Sequence, residues 1–217
     1  MTDYAARRTL MVDTQIRPSD VTKFPIIDAM LSVPREAFVP DHLREAAYVG
    51  EHLDLGGGRV MLDPRVLAKM LDALDIGNDD LVLDIGSGTG YSAAVMARMA
   101  EAVVAVEEDE TMAADTPGIL AETHADNVIP HQGALVDGAA DHGPYDVIAL
   151  QGGVDELPEA LTAQLKDGGR MACLFMDGAL GVVRIGYKID GRMNWRDAFN
   201  AGAPVLPGFE KQAAFAL

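Results

Sequence analysis

The 217-residue chain is poor in cysteine, in basic side chains and in long apolar runs. Its one cysteine, Cys173, excludes an internal disulfide. Set in the apolar run RMACLFM, it reads as a small buried thiol, with a nucleophile as the minor alternative. Lys and Arg number 17 against 34 acidic residues, a formal charge of −17. Such a surface repels nucleic acid and anionic lipid, which are bound mainly through Lys and Arg, and the acidity is read as favouring solubility. No run approaches the length of a membrane span. The N-terminal MTDYAARRTLMVDTQIRP lacks the continuous apolar core of a signal peptide, so a soluble cytoplasmic protein is expected. None of the five histidines shows a paired metal-ligand spacing, and no cysteine stands near one, so no metal site is expected.

What is present is an ordinary globular composition, 49% apolar and 24% charged. It suits one well-buried α/β domain with additions. Helical spacing predicts helices over 3–16 and about Asp20–Leu31, and Pro34 and Pro40 bracket the short piece PREAFVP. The triplet Gly56-Gly57-Gly58 marks a flexible loop. Val66, Leu67, Met70, Leu71 and Leu74 share one face of a helix after Pro64. Strand and helix then alternate. LVLDI, AVVAVE, NVIPHQ, YDVIAL and MACLFM read as strands. Tyr91–Ala100, Thr111–Thr123 and LPEALTAQLK read as helices, the second expected to break or kink at Pro117-Gly118. Alternation at Val183, Ile185, Tyr187 and Ile189 predicts a half-wet strand, and QAAFAL is taken as a last one. The pattern predicts a Rossmann-like, seven-stranded, mostly parallel sheet with helices on both faces and an N-terminal helical extension over the ligand edge.

The chemistry is concentrated in LVLDIGSGTGY. In open α/β sheets ligands sit beyond the carboxyl ends of the strands, where strand order reverses, and a glycine turn after the first strand belongs there. Gly86, Gly88 and Gly90 are spaced G-x-G-x-G. The dinucleotide fingerprint needs a small residue at position 91, and that residue is Tyr91. Asp84, at the strand end, opposes a pyrophosphate but suits a ligand carrying an ammonium group. S-adenosylmethionine (SAM) has an ammonium and a sulfonium and no phosphate. Glu107, closing AVVAVE, is placed for ribose hydroxyls, a feature that does not separate SAM from NAD. Ser87 and Thr89 are turn residues, and Ser87 is also a candidate contact to the methionine moiety. The plainer reading, a tight turn and nothing more, accounts for the glycines alone.

With these residues in view, the chain resembles class I SAM-dependent methyltransferases through LVLDIGSGTGY and VVAVE. Through MVDTQI, DAMLSVPREAFVP, Ala47-Tyr48, PYDVIAL and LPEALTAQLKDGGRM it resembles the protein-L-isoaspartate O-methyltransferase family, the likeness being least clear after Asp190. The resemblance implies residues 1–217 as one methyltransferase domain, with 1–63 a helical lead-in and acceptor loop and 64–217 the core. It implies SAM as cofactor, methylation of an isoaspartyl side carboxylate, and an acceptor loop reading Thr-Ile-Ser-x-Pro in the family. Here that loop is Val60, Met61, Leu62, Asp63 and Pro64, so two hydroxyls that steady a carboxylate are gone. Asp63, if it faces the pocket, repels an anionic acceptor. Arg59 is either a charged clamp or a solvated side chain beside a glycine loop. The family's Gly-Asp-Gly after the third strand becomes QGALVDG, which puts Gly133 where the acid belongs. Adenine is then left to Gln132 or backbone groups, or to Asp137 if the loop runs differently. Expected cofactor contacts are Asp84, Gly86, Ser87, Gly88, Gly90, Glu107, Gln132 and Gly133.

Three functions stay open: isoaspartyl methylation, methylation of a less anionic acceptor in an apolar pocket, and a non-catalytic SAM-binding scaffold. A nicotinamide dehydrogenase is a distant fourth. His52 is a general base for a neutral acceptor or a plain surface histidine, and Asp54 has the same two readings. Trp195 is expected to cover an edge. Gly152-Gly153 allows close approach of a ligand or makes a turn.

Overall fold

The computed structural model describes residues 2–211. Helix α1 (Tyr4–Met11) continues through a π turn, Val12–Ile16, and a 3-10 turn, Arg17–Ser19. Pro18 sits inside that 3-10 turn, and the helical path ends one residue after it, ahead of Asp20 with φ 65°. Helix α2 (Phe24–Ser32) starts four residues later than its apolar spacing predicts, because Pro25 favours the first helical turn. Two 3-10 turns, Arg35–Phe38 and Asp41–Ala46, lead to a hairpin of β1 (Leu53–Gly56) and β2 (Arg59–Met61). The glycine triplet, all at positive φ, turns this hairpin. Helix α3 (Pro64–Leu74) follows, with Asp63 as its N-cap.

The core is built from β3 (Leu81–Ile85), α4 (Tyr91–Ala97), β4 (Ala102–Glu107), α5 (Glu110–Glu122) and β5 (Val128–Gln132). It continues through β6 (Tyr145–Val154), α6 (Glu159–Ala163), β7 (Leu165–Asp177), β8 (Leu180–Ile189) and β9 (Arg192–Asn200). The seven-stranded sheet has the order β5-β4-β3-β6-β7-β8-β9. Strands β3 to β7 pair in parallel, and β8 and β9 close the sheet as an antiparallel meander. The order reverses at β3, so the glycine turn lies at the switch point.

Continuous apolar strands are what a sheet buried on both faces requires. Val82, Val103, Val147 and Ala172 pack into one cluster with α2, α3 and α4. Leu83, Val104, Ile148 and Cys173 pack into another with Leu161, Leu206 and Phe209. The second face is covered by α6, the 3-10 turn at Leu135 and the coil after β9.

Several expectations need correction. Helix α5 runs through Pro117 without a break. Thr116 beside it donates to Met112 O at 2.7 Å, and its buried side chain packs beneath the glycine turn. Tertiary packing outweighs the lost rung. Helix α6 is shorter than LPEALTAQLK, because β7 already begins at Leu165. Strand β6 extends past YDVIAL to Val154, so Gly152 and Gly153 lie within a strand. The last described strand is β9, joined to β8 by Asp190-Gly191, both at positive φ. Asp-Gly is the strongest short-range hairpin signal. QAAFAL lies outside the described residues. Trp195 of β9 packs edge-on against Phe175 at 5.1 Å, half-buried near that sheet edge.

Candidate active site

The turn after β3 uses glycine at three positions where only glycine is at ease. Gly86, Gly88 and Gly90 have φ of 74°, 58° and 95°. The amides of Gly86 and Ser87 both donate to Val106 O, at 3.0 and 3.2 Å. Gly90 caps α4. The turn is thereby folded towards the end of β4, where Glu107 waits: Gly88 N donates to Glu107 Oε2 at 2.8 Å.

Glu107 is buried, with a side-chain exposure of 3%. Its Oε1 also accepts from the amides of Glu108 and Asp109, at 2.8 and 2.9 Å. The fourth donor is Arg59 Nε, 2.9 Å from Oε1 and 3.2 Å from Oε2. Arg59 is as buried as its partner, which corrects the reading of a solvated side chain. Its Nη2 lies 3.8 Å from the half-exposed carboxylate of Glu108. A buried pair of this kind costs about 3–5 kcal/mol when one partner is removed.

Asp84 is completely buried. Ser92 Oγ donates to its Oδ2 and Gln151 Nε2 to its Oδ1, each at 2.6 Å. Burial pushes its carboxyl up to about 7, against these two hydrogen bonds and with a further push from the charge of Glu107. Ser92 and Gln151 therefore stand on the cavity wall, with Asp84 one residue behind them.

Val60, Met61 and Leu62 form the other side of that cavity, with Ser87 and Tyr91 facing them. The space between is about 10 Å³, room for about one water. Leu55 of the hairpin closes it, and the coil after β9 packs against the turn at Gly86. A Cβ on Gly88 would meet Leu55 Cδ1 at 2.9 Å, and one on Gly86 would meet Leu206 Cδ2 at 3.1 Å. Gly152 and Gly153 permit this: Gly153 N donates to Pro204 O at 2.7 Å, and a Cβ on Gly152 would lie 2.7 Å from Leu206. These two glycines serve close approach of the chain to itself.

Asp63 turns away from the apolar wall. It caps α3 by accepting from Arg65 N at 2.8 Å and pairs with Arg65 Nη2 at 2.6 Å. Burial alone would raise its carboxyl, but these bonds outweigh it and hold the group below the usual carboxylate range. It lines a separate cavity of about 380 Å³ with Arg65, Lys69 and Phe199. His52 also lines it. Its Nδ1 accepts from Asp63 N at 2.8 Å, so Nε2 carries the proton and donates to Gly202 O at 2.6 Å. With both nitrogens engaged, the ring is a brace and has no lone pair left for general base work. Asp54 accepts from Gly56 N at 2.8 Å and shapes the hairpin turn.

Gln132 ends β5 beside Glu107 in the ladder, and Gly133 N donates to Glu107 O at 3.1 Å. Ser87, Glu107, Thr116, Pro130 and Gln132 line a third cavity, of about 180 Å³. Asp137 sits exposed in a 3-10 turn and is not on that cavity.

Residue-by-residue reading passed over Arg35, though VPREAFVP contains it. Arg35 is fully buried, donates from Nε to Ala47 O at 2.6 Å and from Nη2 to Leu62 O at 2.7 Å, and lies over the Tyr91 ring at 4.8 Å. The stretch VPREAFVP thus holds the backbone of the loop at Leu62. Ser92 and Gln151 were also missed. A serine in the first helical turn and a glutamine after an apolar strand carry no signal until Asp84 is found between them. Among the described residues no three His, Cys, Asp or Glu side chains gather as a metal site. No described helix is long and apolar enough to cross a membrane.

Comparison with known proteins bears on this site. The family model for Protein-L-isoaspartate(D-aspartate) O-methyltransferase (PCMT) matches residues 7–180, so β8 and β9 lie essentially outside the match. Protein-L-isoaspartate O-methyltransferase 1 of Rhodopseudomonas palustris is 38% identical over 170 residues, covering 78% of this chain and 69% of that one. A protein-L-isoaspartate O-methyltransferase of Koribacter versatilis is 33% identical over 198 residues, covering 89% and 87%. A solved protein-L-isoaspartate O-methyltransferase superposes with a TM-score of 0.81 at 25% identity, over 95% of this chain and 66% of the other. A Plasmodium falciparum protein solved with S-adenosyl-L-homocysteine shares the fold, with a TM-score of 0.79 at 17% identity over 95% and 99%.

Proposed function

Since the chain belongs to the Protein-L-isoaspartate(D-aspartate) O-methyltransferase family, we propose that it is a SAM-dependent O-methyltransferase acting on the side carboxylate of isoaspartyl residues in proteins or peptides. The observation that carries this reading is the tie between the glycine turn and Glu107 through Gly88 N. The donor set fits the cofactor. Two buried acids, Asp84 and Glu107, flank a turn whose glycines all take the left-handed backbone. That suits an ammonium and vicinal hydroxyls and repels a diphosphate. Asp84, acting with Ser92 and Gln151, would hold the methionine end. Gly86, Ser87, Gly88 and Gly90 would face the ligand through backbone, Glu107 would hold the ribose, and Gln132 and Gly133 would border the adenine.

Bound there, SAM supplies an electrophilic methyl group. A carboxylate is a nucleophile at neutral pH without a base, so the chain's work is alignment and exclusion of water. Val60, Met61 and Leu62 supply the dry wall, and Arg35 fixes the carbonyl of Leu62. We read 1–63 as lead-in and acceptor loop and 64–217 as core of one domain, working in the cytoplasm on protein or peptide substrates, with no nucleic acid or membrane partner.

The same wall favours a second reading, a less anionic acceptor. Leu62 offers no hydrogen bond, and a carboxylate desolvated against it loses about 1–3 kcal/mol per missing partner. Calorimetry with S-adenosylhomocysteine tests the cofactor, and absence of heat at high micromolar ligand removes it. Methanol release from an isoaspartyl peptide tests the acceptor. Binding without release favours the second reading or a non-catalytic SAM-binding scaffold.

A further inference from the structure

Glu107 has no acceptor capacity to spare. A carboxylate offers about four lone pairs, and four donors share them: Glu108 N, Asp109 N and Arg59 Nε on Oε1, and Gly88 N with the longer arm of Arg59 Nε on Oε2. Three are backbone amides held by the glycine turn and by the start of α5. The only side chain among them is Arg59, on a three-residue strand of a two-stranded hairpin. A ligand hydroxyl that takes Glu107 Oε2 must displace the 3.2 Å arm of Arg59 Nε, the only side-chain contact there among the described residues. A second carboxylate is ready for it: Glu108 Oε2 lies 3.8 Å from Arg59 Nη2 and is half-exposed.

We propose that Arg59 competes with the cofactor's ribose for Glu107 and moves to Glu108 when the ribose binds, so that filling the cofactor site repositions the acceptor wall. This rests on the reading of Glu107 as the ribose acid. The coupling follows from chain connectivity. Arg59 is followed directly by Val60, Met61 and Leu62. On the same hairpin, Leu55 lies over Gly88. A shift of Arg59 carries the apolar wall with it and lifts Leu55 from the turn. Cofactor and acceptor then bind cooperatively, because each favours the hairpin position the other needs. Arg59 is a positioning residue here, and it touches neither the methyl group nor the acceptor.

The test is titration of the full chain with S-adenosylhomocysteine by calorimetry, with hydrogen exchange followed over 53–61. Removing the competitor raises the fraction of chains able to bind, so R59Q is expected to bind at least about fivefold tighter than wild type. E108Q, which removes the second seat at an exposed position, is expected to bind about two- to fivefold weaker. Combining the two is expected to match R59Q alone. Exchange over 53–61 is expected to rise in wild type on saturation with ligand and to be already raised in unliganded R59Q. Equal or weaker binding by folded R59Q overturns the proposal and leaves the cofactor reading standing, as does unchanged affinity in E108Q. Should R59Q fail to fold, E108Q and wild-type exchange decide alone. No binding by wild type or any folded variant removes the cofactor reading, and the competition with it.

Discussion

Ser92 Oγ lies 2.6 Å from Asp84 Oδ2, a buried hydroxyl serving a buried carboxyl that burial pushes up to about 7. Between pH about 4 and about 7 the folded chain keeps a proton on Asp84 that the unfolded chain has released. The stability tied to that proton is therefore full below about pH 4 and lost as pH rises through about 7, a change of up to about 4 kcal/mol. D84N holds a neutral group at every pH and is expected to lose this dependence. Melting temperatures of both proteins from pH 4 to 8 should converge at the acid end and separate towards pH 8, with D84N the more stable. A constant gap would show that Asp84 does not titrate there. A ligand bearing an ammonium prefers the ionised form, so wild-type affinity for S-adenosylhomocysteine is expected to tighten as pH rises through about 7 and D84N affinity to stay flat.

Gly88 faces two constraints, a φ of 58° and Leu55 at 2.9 Å from any added Cβ. G88A is expected to lose about 1–3 kcal/mol by denaturant unfolding and to bind S-adenosylhomocysteine poorly. L55A relieves the contact but not the backbone strain. The double variant should regain part of the stability lost, and full recovery would mean that the left-handed backbone costs nothing.

Arg35 reaches two buried carbonyls that no other side chain among the described residues serves. R35K keeps the charge but not the fork, and about 1–3 kcal/mol of stability is expected to go with each carbonyl left bare. Its role in holding Leu62 predicts an asymmetry. S-adenosylhomocysteine affinity should change little, while methyl transfer falls about ten- to hundredfold from a misplaced acceptor wall. Equal loss of binding and turnover would leave Arg35 as a support of the fold alone.

Val60 and Leu62 are both buried on the cavity wall, and the resemblance read from the sequence implies hydroxyls at their positions in the family. If lost hydrogen bonds limit the reaction, V60T/L62S should raise kcat/KM on an isoaspartyl peptide by about tenfold for each regained bond. Some stability should be lost where a new hydroxyl lacks a partner. Unchanged turnover would move the cause away from these side chains.

How far the residues alone speak varies along the chain. Apolar runs bounded by glycine and proline revealed the parallel strands, because a strand buried on both faces has only one composition open to it. Asp84 and Glu107 were visible as acids at strand ends. Pro117 misled, since local helix cost is weighed against packing that no window of sequence contains. The β9 strand carries little signal beyond Asp190-Gly191, because its own residues, RMNWRDAFN, are half polar and mostly exposed.

The order of elements, the left-handed turn and the family follow from the amino-acid sequence itself, because they depend on contacts between neighbours in the chain and on residues with few conformational choices. Partnerships were decided by the tertiary structure. Arg59 meets Glu107 across 48 positions and Gln151 meets Asp84 across 67. Asp63 turns to Arg65 and away from the apolar wall. A charge seeks the nearest opposite charge in space, and only the folded chain says which one that is.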